Sequence, residues 1–343
     1  MTNNEVHPIV WTGECITLLD QTLLPSEETY VDIQTVDALV DAISRLVVRG
    51  APALGAVGAY GVALAMVQGE REDWSADELH ENILRIRNAR PTAVNLAWGV
   101  DRVLPLVESG LAAVVADADA VSAEDAAANR AMGRIGADWI EANVERRPLR
   151  LLTHCNTGTL ATTYWGTALG VIRELHERGL VELVYADETR PLLQGARLTA
   201  WELDRAGIAH VVQSDGAAAS TILRGLVDVA LIGADRIAAN GDSANKIGSV
   251  SVALACKDAG VPFLVVAPVS TVDLATENGD DIHIELRSGE EVTTLAGIRV
   301  APANTQGFNP AFDVTPARLI SAIITEKTAI EVAQGESPKS KLH

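Results

Sequence analysis

From Leu149 to Val266 the chain repeats one pattern: a short apolar run, then a stretch with apolar residues three and four apart. The runs fall at 149–153, 181–185, 209–213, 227–232 and 262–267. Apolar strands separated by helices form a parallel sheet covered on both faces. No other feature narrows the fold as much. Helices are expected at 160–177, 193–206, 217–225 and 246–259, with a last one near 315–327. In open sheets of this kind ligands bind outside the carboxyl ends of the strands. Polar residues at those ends are therefore the first candidates for chemistry.

The residues before this region read differently. Ile9-Val10-Trp11, Thr12-Gly13-Glu14 and Cys15 to Leu19 give strand, turn and strand, a β-hairpin within 8–33. From Val36 to Val144 the apolar period is helical, as in Leu39, Ile43, Leu46 and Val47. Helices are expected over 36–48, 52–68, 76–88, 93–108 and 122–145, and 111–120 is either helix or loop. Arg146-Arg147-Pro148-Leu149 marks the change of pattern. The fold class is α/β: a hairpin and helical domain over 1–146, a parallel-sheet domain over 147–333, and a polar tail, 334–343, expected to be disordered.

Composition removes whole classes of function. The 343 residues carry 27 Lys and Arg against 46 Asp and Glu, a net charge of −19, which opposes a nucleic-acid footprint. With aromatics at 4%, Ala, Val and Leu must fill the cores. Met1 to His7 lack the apolar segment of a signal peptide. No apolar run is read as reaching the ~20 residues that cross a bilayer. Cys15, Cys155 and Cys256 show no knuckle or CxxC spacing, so reduced thiols in a cytoplasmic protein are expected.

Several motifs admit two readings each. Gly55, Gly58 and Gly61 are spaced GxxGxxG with no strand before them, which favours close helix packing over a dinucleotide site. Arg49-Gly50-Ala51-Pro52 places an arginine at a helix start, either an anion site or an ordinary turn. Arg90-Pro91-Thr92 repeats that grammar. Thr153-His154-Cys155-Asn156 lies between a strand and an expected helix, and a helix N-terminus favours a thiolate. Cys256 and Cys15 read as packing residues. His154 beside Cys155 has no HxH, HExxH or CxxC partner, so no metal is expected. There is no GxSxG, and a Cys–His–Asn hydrolase would need His210 or His283 to reach Cys155. Ser214 or Asp215 reads as an N-cap. Asp235, after the run Val229 to Ile232, is either the partner of Arg236 or a catalytic acid. Asn245-Lys246 opens the next expected helix and brings a cation to the same edge.

Taken together, these segments resemble the S-methyl-5-thioribose-1-phosphate isomerase family. The resemblance is carried by Arg49 to Ala53, Arg90 to Leu96, Thr153 to Asn156, Ala186 to Pro191, Gln194 to Ala200, Gly233 to Ile237, Asn245 to Gly248 and Asn309 to Pro316. It implies a helical N-terminal domain, a Rossmann-like C-terminal domain, a homodimer, and neither cofactor nor metal. The partner it implies is a small sugar phosphate rather than nucleic acid or membrane. It places the catalytic pair on Cys155 and Asp235, and substrate binding on Arg49, Gly50, Ala51, Arg90, Gln194, Asn245 and Lys246. Departures at Thr157-Gly158-Thr159, Tyr164-Trp165-Gly166 and Ser214 to Ala217 bear on the sugar's 5-substituent.

The implied reaction turns an aldose 1-phosphate into a ketose 1-phosphate. Phosphate on the anomeric oxygen closes the usual route of ring opening. An acid, Asp235, must protonate the ring oxygen, and burial favours its protonated form. Cys155 is the expected base moving a proton from C2 to C1, with a hydride shift as the competing path. Two other readings stand beside this one. One is an isomerase of 5-deoxyribose 1-phosphate or ribose 1,5-bisphosphate. The other is a non-catalytic regulatory subunit of the translation-initiation guanine-nucleotide exchange factor.

Overall fold

The computed structural model describes residues 6–90 and 94–342. The signal-peptide reading of Met1 to His7 falls mostly on residues outside that range, and so does Pro91-Thr92-Ala93 of the second arginine motif. The chain divides into two compact units: residues 1–131 with 157–170, and residues 132–156 with 171–343.

Unit 1 begins with an antiparallel sheet of β1 (Ile9–Trp11), β2 (Ile16–Leu19) and β3 (Tyr30–Ile33), a third strand beyond the expected hairpin. Five helices follow in the described residues: α1 (Val36–Ser44), α2 (Ala51–Arg71), α3 (Ala76–Arg87), α4 (Val94–Val103) and α5 (Leu111–Asn143). The ambiguous stretch 111–120 is helix. Thr35 caps α1 by accepting the Ala38 N–H, and Ser75 with Glu78 forms a reciprocal capping box on α3. The division between units falls inside α5. The boundary expected at 146/147 therefore lies within unit 2, because the helix continues unbroken to Asn143.

Helix α2 corrects one expectation. It is 21 residues long, enough by length and composition to cross a membrane. Its apolar stretch is 83% buried in the protein, covered by the core of unit 1. Its glycines explain how so many small residues pack. A Cβ on Gly58 would lie 2.5 Å from the Leu96 carbonyl oxygen, and one on Gly99 would lie 2.0 Å from that of Gly55. The backbones of α2 and α4 touch directly, and the GxxGxxG run is a packing surface rather than a nucleotide loop.

Unit 2 is built on a sheet ordered β6-β5-β4-β7-β10-β15-β16. These strands are β4 (Leu149–His154), β5 (Val181–Asp187), β6 (His210–Gln213), β7 (Val229–Ile232), β10 (Phe263–Val266), β15 (Ala322–Ile324) and β16 (Ala329–Ile330). All neighbours run parallel except β15 and β16. Strand order reverses between β4 and β7, which is the switch point of a doubly wound sheet. Helices α6 (Ala168–Glu177), α7 (Ala200–Arg205), α8 (Ala218–Leu223) and α9 (Ser249–Ala259) connect the strands. Beside this sheet lies a second one, β11-β8-β9-β14, from β8 (Arg236–Ala238), β9 (Ser243–Lys246), β11 (Val272–Asp273) and β14 (Phe312–Thr315). A short turn α10 (Glu290–Thr293) precedes the pair β12 (Thr294–Leu295) and β13 (Ile298–Arg299).

Three expected helices change here. The stretch 315–327 holds a 3-10 turn and β15, because its apolar residues pack into the sheet beside β10. Helix α6 starts only at Ala168, and residues 159–161 form a separate turn. Asn245 and Lys246 end strand β9 rather than opening α9. The polar tail carries α11 (Pro338–Lys341), capped by Ser337 and held by a 3.0 Å Lys339–Glu277 ion pair.

Candidate active site

At the switch point β4 and β7 are paired with His154 opposite Ile232. The residues that leave this pair are Cys155 on one side and Gly233-Ala234-Asp235 on the other. The fold thus sets a thiol and a carboxylate at the carboxyl end of adjacent strands.

Cys155 is 5% exposed, with φ of +68°, a conformation that non-glycine residues seldom adopt. The surrounding hydroxyls account for that backbone. The Cys155 N–H donates to Thr189 Oγ1 at 2.9 Å, and its carbonyl accepts from Thr199 Oγ1 at 2.7 Å. Thr189 and Leu193, at +62° and +58°, share the unusual backbone, the kind of strain that gathers at functional sites. Gln194 Nε2 donates to Cys155 Sγ at 3.5 Å, while Gln194 Oε1 is buried with no hydrogen-bond partner. A buried acceptor of this kind suits a substrate hydroxyl. A Cβ on Gly195 would come within 1.7 Å of the Asp187 carbonyl oxygen, so only glycine lets this π-helical turn (Gly195–Thr199) approach β5.

No helix begins at Cys155, contrary to the strand-to-helix reading. The thiol instead has two polar neighbours, the Gln194 amide and the preceding His154. Ser214 and Asp215 do not cap a helix through their side chains. The Asp215 carboxylate accepts the N–H groups of Thr189 and Arg190, each at 2.7 Å, and so shapes the turn above Cys155. Arg236 reaches Asp273 at 3.6 Å.

Asp235 is half-buried, and its N–H donates to the Ala244 carbonyl at 2.9 Å, next to Asn245. Asn245 is buried and donates to Ser249 Oγ at 2.9 Å. Lys246 Nζ lies 4.3 Å from the centroid of the Phe312 ring. Unit 2 therefore groups the expected residues as Cys155 with Gln194, and Asp235 with Asn245 and Lys246. His154 joins the groups: Nδ1 lies 3.0 Å from Asp187 Oδ2 and Nε2 lies 2.8 Å from the Ile247 carbonyl.

Arg49, Gly50, Ala51 and Arg90 belong to unit 1. Gly50 is the N-cap of α2, with φ of +100°. A Cβ there would fall 2.3 Å from the Ala161 carbonyl oxygen, so glycine alone allows that contact. Ala51 and Pro52 form the first turn, where N–H groups are free of intrahelical partners. Arg49 and Arg90 are half-buried.

His154, Asp187 and Asp215 hold ligand atoms within 4.8 Å of one another, a spacing open to a metal ion. Their atoms are already engaged. Both Asp215 oxygens hold backbone N–H groups, and Asp187 Oδ1 accepts from Gln213 Nε2 at 2.8 Å. The cluster is a satisfied polar network. Sequence reasoning assigned no role to Asp187, Thr189 or Thr199, and an N-cap role alone to Asp215. The signal was available: buried acids and hydroxyls at strand ends need hydrogen-bond partners.

The sequence matches the initiation factor 2 subunit family over residues 47–332. It is 49% identical to a methylthioribose-1-phosphate isomerase of Marinobacter nauticus, covering 93% of this chain and 92% of that one. It is also 49% identical to a probable bifunctional methylthioribose-1-phosphate isomerase/methylthioribulose-1-phosphate dehydratase of Nocardia farcinica, and spans 61% of that longer relative. Among solved structures it resembles the 5-methylthioribose 1-phosphate isomerase of Pyrococcus horikoshii, with a TM-score of 0.85 and 39% identity over 95% of this chain and 92% of that one. A structure titled translation initiation factor eIF-2B, subunit delta, from A. fulgidus gives a TM-score of 0.84 and 39% identity, over 98% and 99% of the two chains.

Proposed function

The chain belongs to the methylthioribose-1-phosphate isomerases within the initiation factor 2 subunit family, and on that premise we infer that it is an aldose–ketose isomerase. Its reaction converts S-methyl-5-thio-α-D-ribose 1-phosphate to S-methyl-5-thio-D-ribulose 1-phosphate, a step of methionine salvage. The observation that supports this assignment of roles is that Cys155 and Asp235 follow the ends of the adjacent strands β4 and β7, where His154 lies opposite Ile232.

Asp235 is the acid that protonates the ring oxygen as its bond to C1 breaks. Cys155 is the base that takes the C2 proton and returns it to C1. The intermediate enol then gives its hydroxyl proton to the Asp235 carboxylate, which restores the acid and leaves a ketone at C2. Each such role contributes roughly 10²–10⁴-fold in rate. Gln194 binds a sugar hydroxyl through its unpartnered oxygen. Asn245 and Lys246 bind substrate near Asp235, Lys246 as a cation. Arg49, Gly50, Ala51 and Arg90 we assign, on the resemblance, to the phosphate. A homodimer in the cytoplasm, away from membranes and nucleic acid, completes the reading; the net charge of −19 supports the last part.

The test mixes purified protein with methylthioribose 1-phosphate and no added metal or cofactor, and follows the sugar carbons by NMR. A new ketone carbon with wild type, absent with Cys155→Ser and Asp235→Asn, supports both roles. Deuterium at C1 after reaction in D2O would establish the proton path, since a hydride shift leaves C1 free of deuterium. One observation favours a second reading: the match to the protein titled eIF-2B, subunit delta. A non-catalytic subunit has no use for a thiol and an acid at adjacent strand ends. Wild type silent on this sugar, on 5-deoxyribose 1-phosphate and on ribose 1,5-bisphosphate would favour that reading.

A further inference from the structure

His154 sits where the two groups of site residues meet. Its side chain is 1% exposed, and it is the one buried histidine among the described residues. A carbonyl oxygen only accepts, so the 2.8 Å contact with Ile247 requires a hydrogen on Nε2. Nδ1 faces a carboxylate oxygen of Asp187 at 3.0 Å, which favours a second hydrogen there. The ring is flanked by acids from three directions: Asp187 on β5, Asp215 after β6 and Asp313 on β14, with Cys256 of α9 near Asp187. Asp313 accepts the Gly248 N–H at 2.8 Å, and so holds the same turn from its other side. Gly248 itself has φ of +109°, and a Cβ there would lie 2.7 Å from the His154 ring.

We propose that His154 is a positioning residue for the isomerase reaction: protonated on both ring nitrogens, it fastens the strand end bearing Cys155 to the turn that follows Asn245 and Lys246. The ring's assigned role is to hold these elements, with Cys155 beside it, rather than to exchange a proton with the sugar. It sets the separation of two groups that must act on one sugar, where a displacement of an ångström costs about 10²-fold in rate. Burial opposes the charged ring, but the hydrogen bond and charge of Asp187 outweigh it and push the His154 pKa up to about 9.

The kinetic part of this inference rests on the isomerase reading; the protonation part does not. Wild type labelled with 15N-histidine is studied by NMR near neutral pH, where His154 is recognised by slow exchange. Two N–H protons on that ring are expected, and one would overturn the proposal. H154Q is then compared with wild type on methylthioribose 1-phosphate. A kcat lower by roughly 10²-fold is expected, together with a raised KM, because both groups lose their tie. A role in folding alone would lower the active fraction and Tm and leave KM unchanged, and that result would overturn the positioning role. If H154Q does not fold, the wild-type spectrum decides. If wild type fails to turn over the sugar, the isomerase reading falls while the spectrum still tests the protonated hub.

Discussion

The two units meet the same problem, close packing with few aromatics, with different emphasis, although Gly195 brings backbone against backbone in unit 2 as well. In unit 1, α2 and α4 approach by leaving side chains out, so that Gly55, Gly58 and Gly99 bring backbone against backbone. At the switch point of unit 2 the interior is filled with polar groups that satisfy one another: His154, Asp187, Gln213, Thr189 and Asp215. The first arrangement tolerates no added atom. The second tolerates no lost partner, since a buried polar group left unpaired costs about 1–3 kcal/mol. The contrast separates a region built for rigidity from one that can hold a thiol and an acid in place.

The largest effect expected from breaking this contrast is on rate. Cys155→Ala removes a sulfur that accepts a 3.5 Å bond from Gln194 and lies beside His154. Turnover should fall by roughly 10²–10⁴-fold while the melting temperature stays close to wild type. Activity near the wild-type level would end the base assignment.

Next in size is the pH dependence of stability. His154 has a raised pKa in the folded protein, about 9 against an ordinary 6.5. Its contribution is therefore fully present below pH 6.5 and is lost as pH rises to about 9. Burial raises Asp187 as well, and a raised acid likewise favours the folded state at lower pH. The ceiling is on the order of 3 kcal/mol at about 1.4 kcal/mol per pK unit. Melting curves of wild type should decline across that window, and those of H154Q should be flatter. A parallel decline in both would remove His154 as the cause.

Gly99→Ala probes the other unit. Its Cβ would meet the Gly55 carbonyl at 2.0 Å, so α4 must shift, at about 1–3 kcal/mol. Gly216→Ala in unit 2 meets nothing within 4 Å and should be neutral or slightly stabilising, by about 0.4–1 kcal/mol. Urea denaturation of both variants measures the difference, and equal midpoints would refute the account of α2 and α4. The smallest effect is at the surface. Lys339→Ala breaks an ion pair to Glu277 whose side chains are 53% and 66% exposed, and should change stability by less than about 1 kcal/mol.

Much of this was legible before the structure. The alternation of apolar runs and helical stretches announced the parallel sheet, and five expected strands appear within a few residues of their places. Cys155 and Asp235 stood out because chemistry collects at strand ends. The expected helix at 315–327 failed because a short apolar run carries no signal of its own period. Its neighbour β10 made it a strand. The helix expected at 160 failed because the sequence between Asn156 and Ala168 forms turns closed by hydrogen bonds such as Thr167 N–H to the Thr157 carbonyl.

By itself the sequence determined what is local: the α/β class, the strand and helix alternation, and the residue types at each strand end. Only the tertiary structure decided the strand order that reverses between β4 and β7, and with it the meeting of Cys155 with Gln194 and of Asp235 with Ala244, the neighbour of Asn245. It also gave His154, for which the sequence offered no partner, two partners in Asp187 and Ile247. The physical reason is distance along the chain. Periodicity reports a residue's near neighbours, whereas His154 finds its partners 33 and 93 residues away.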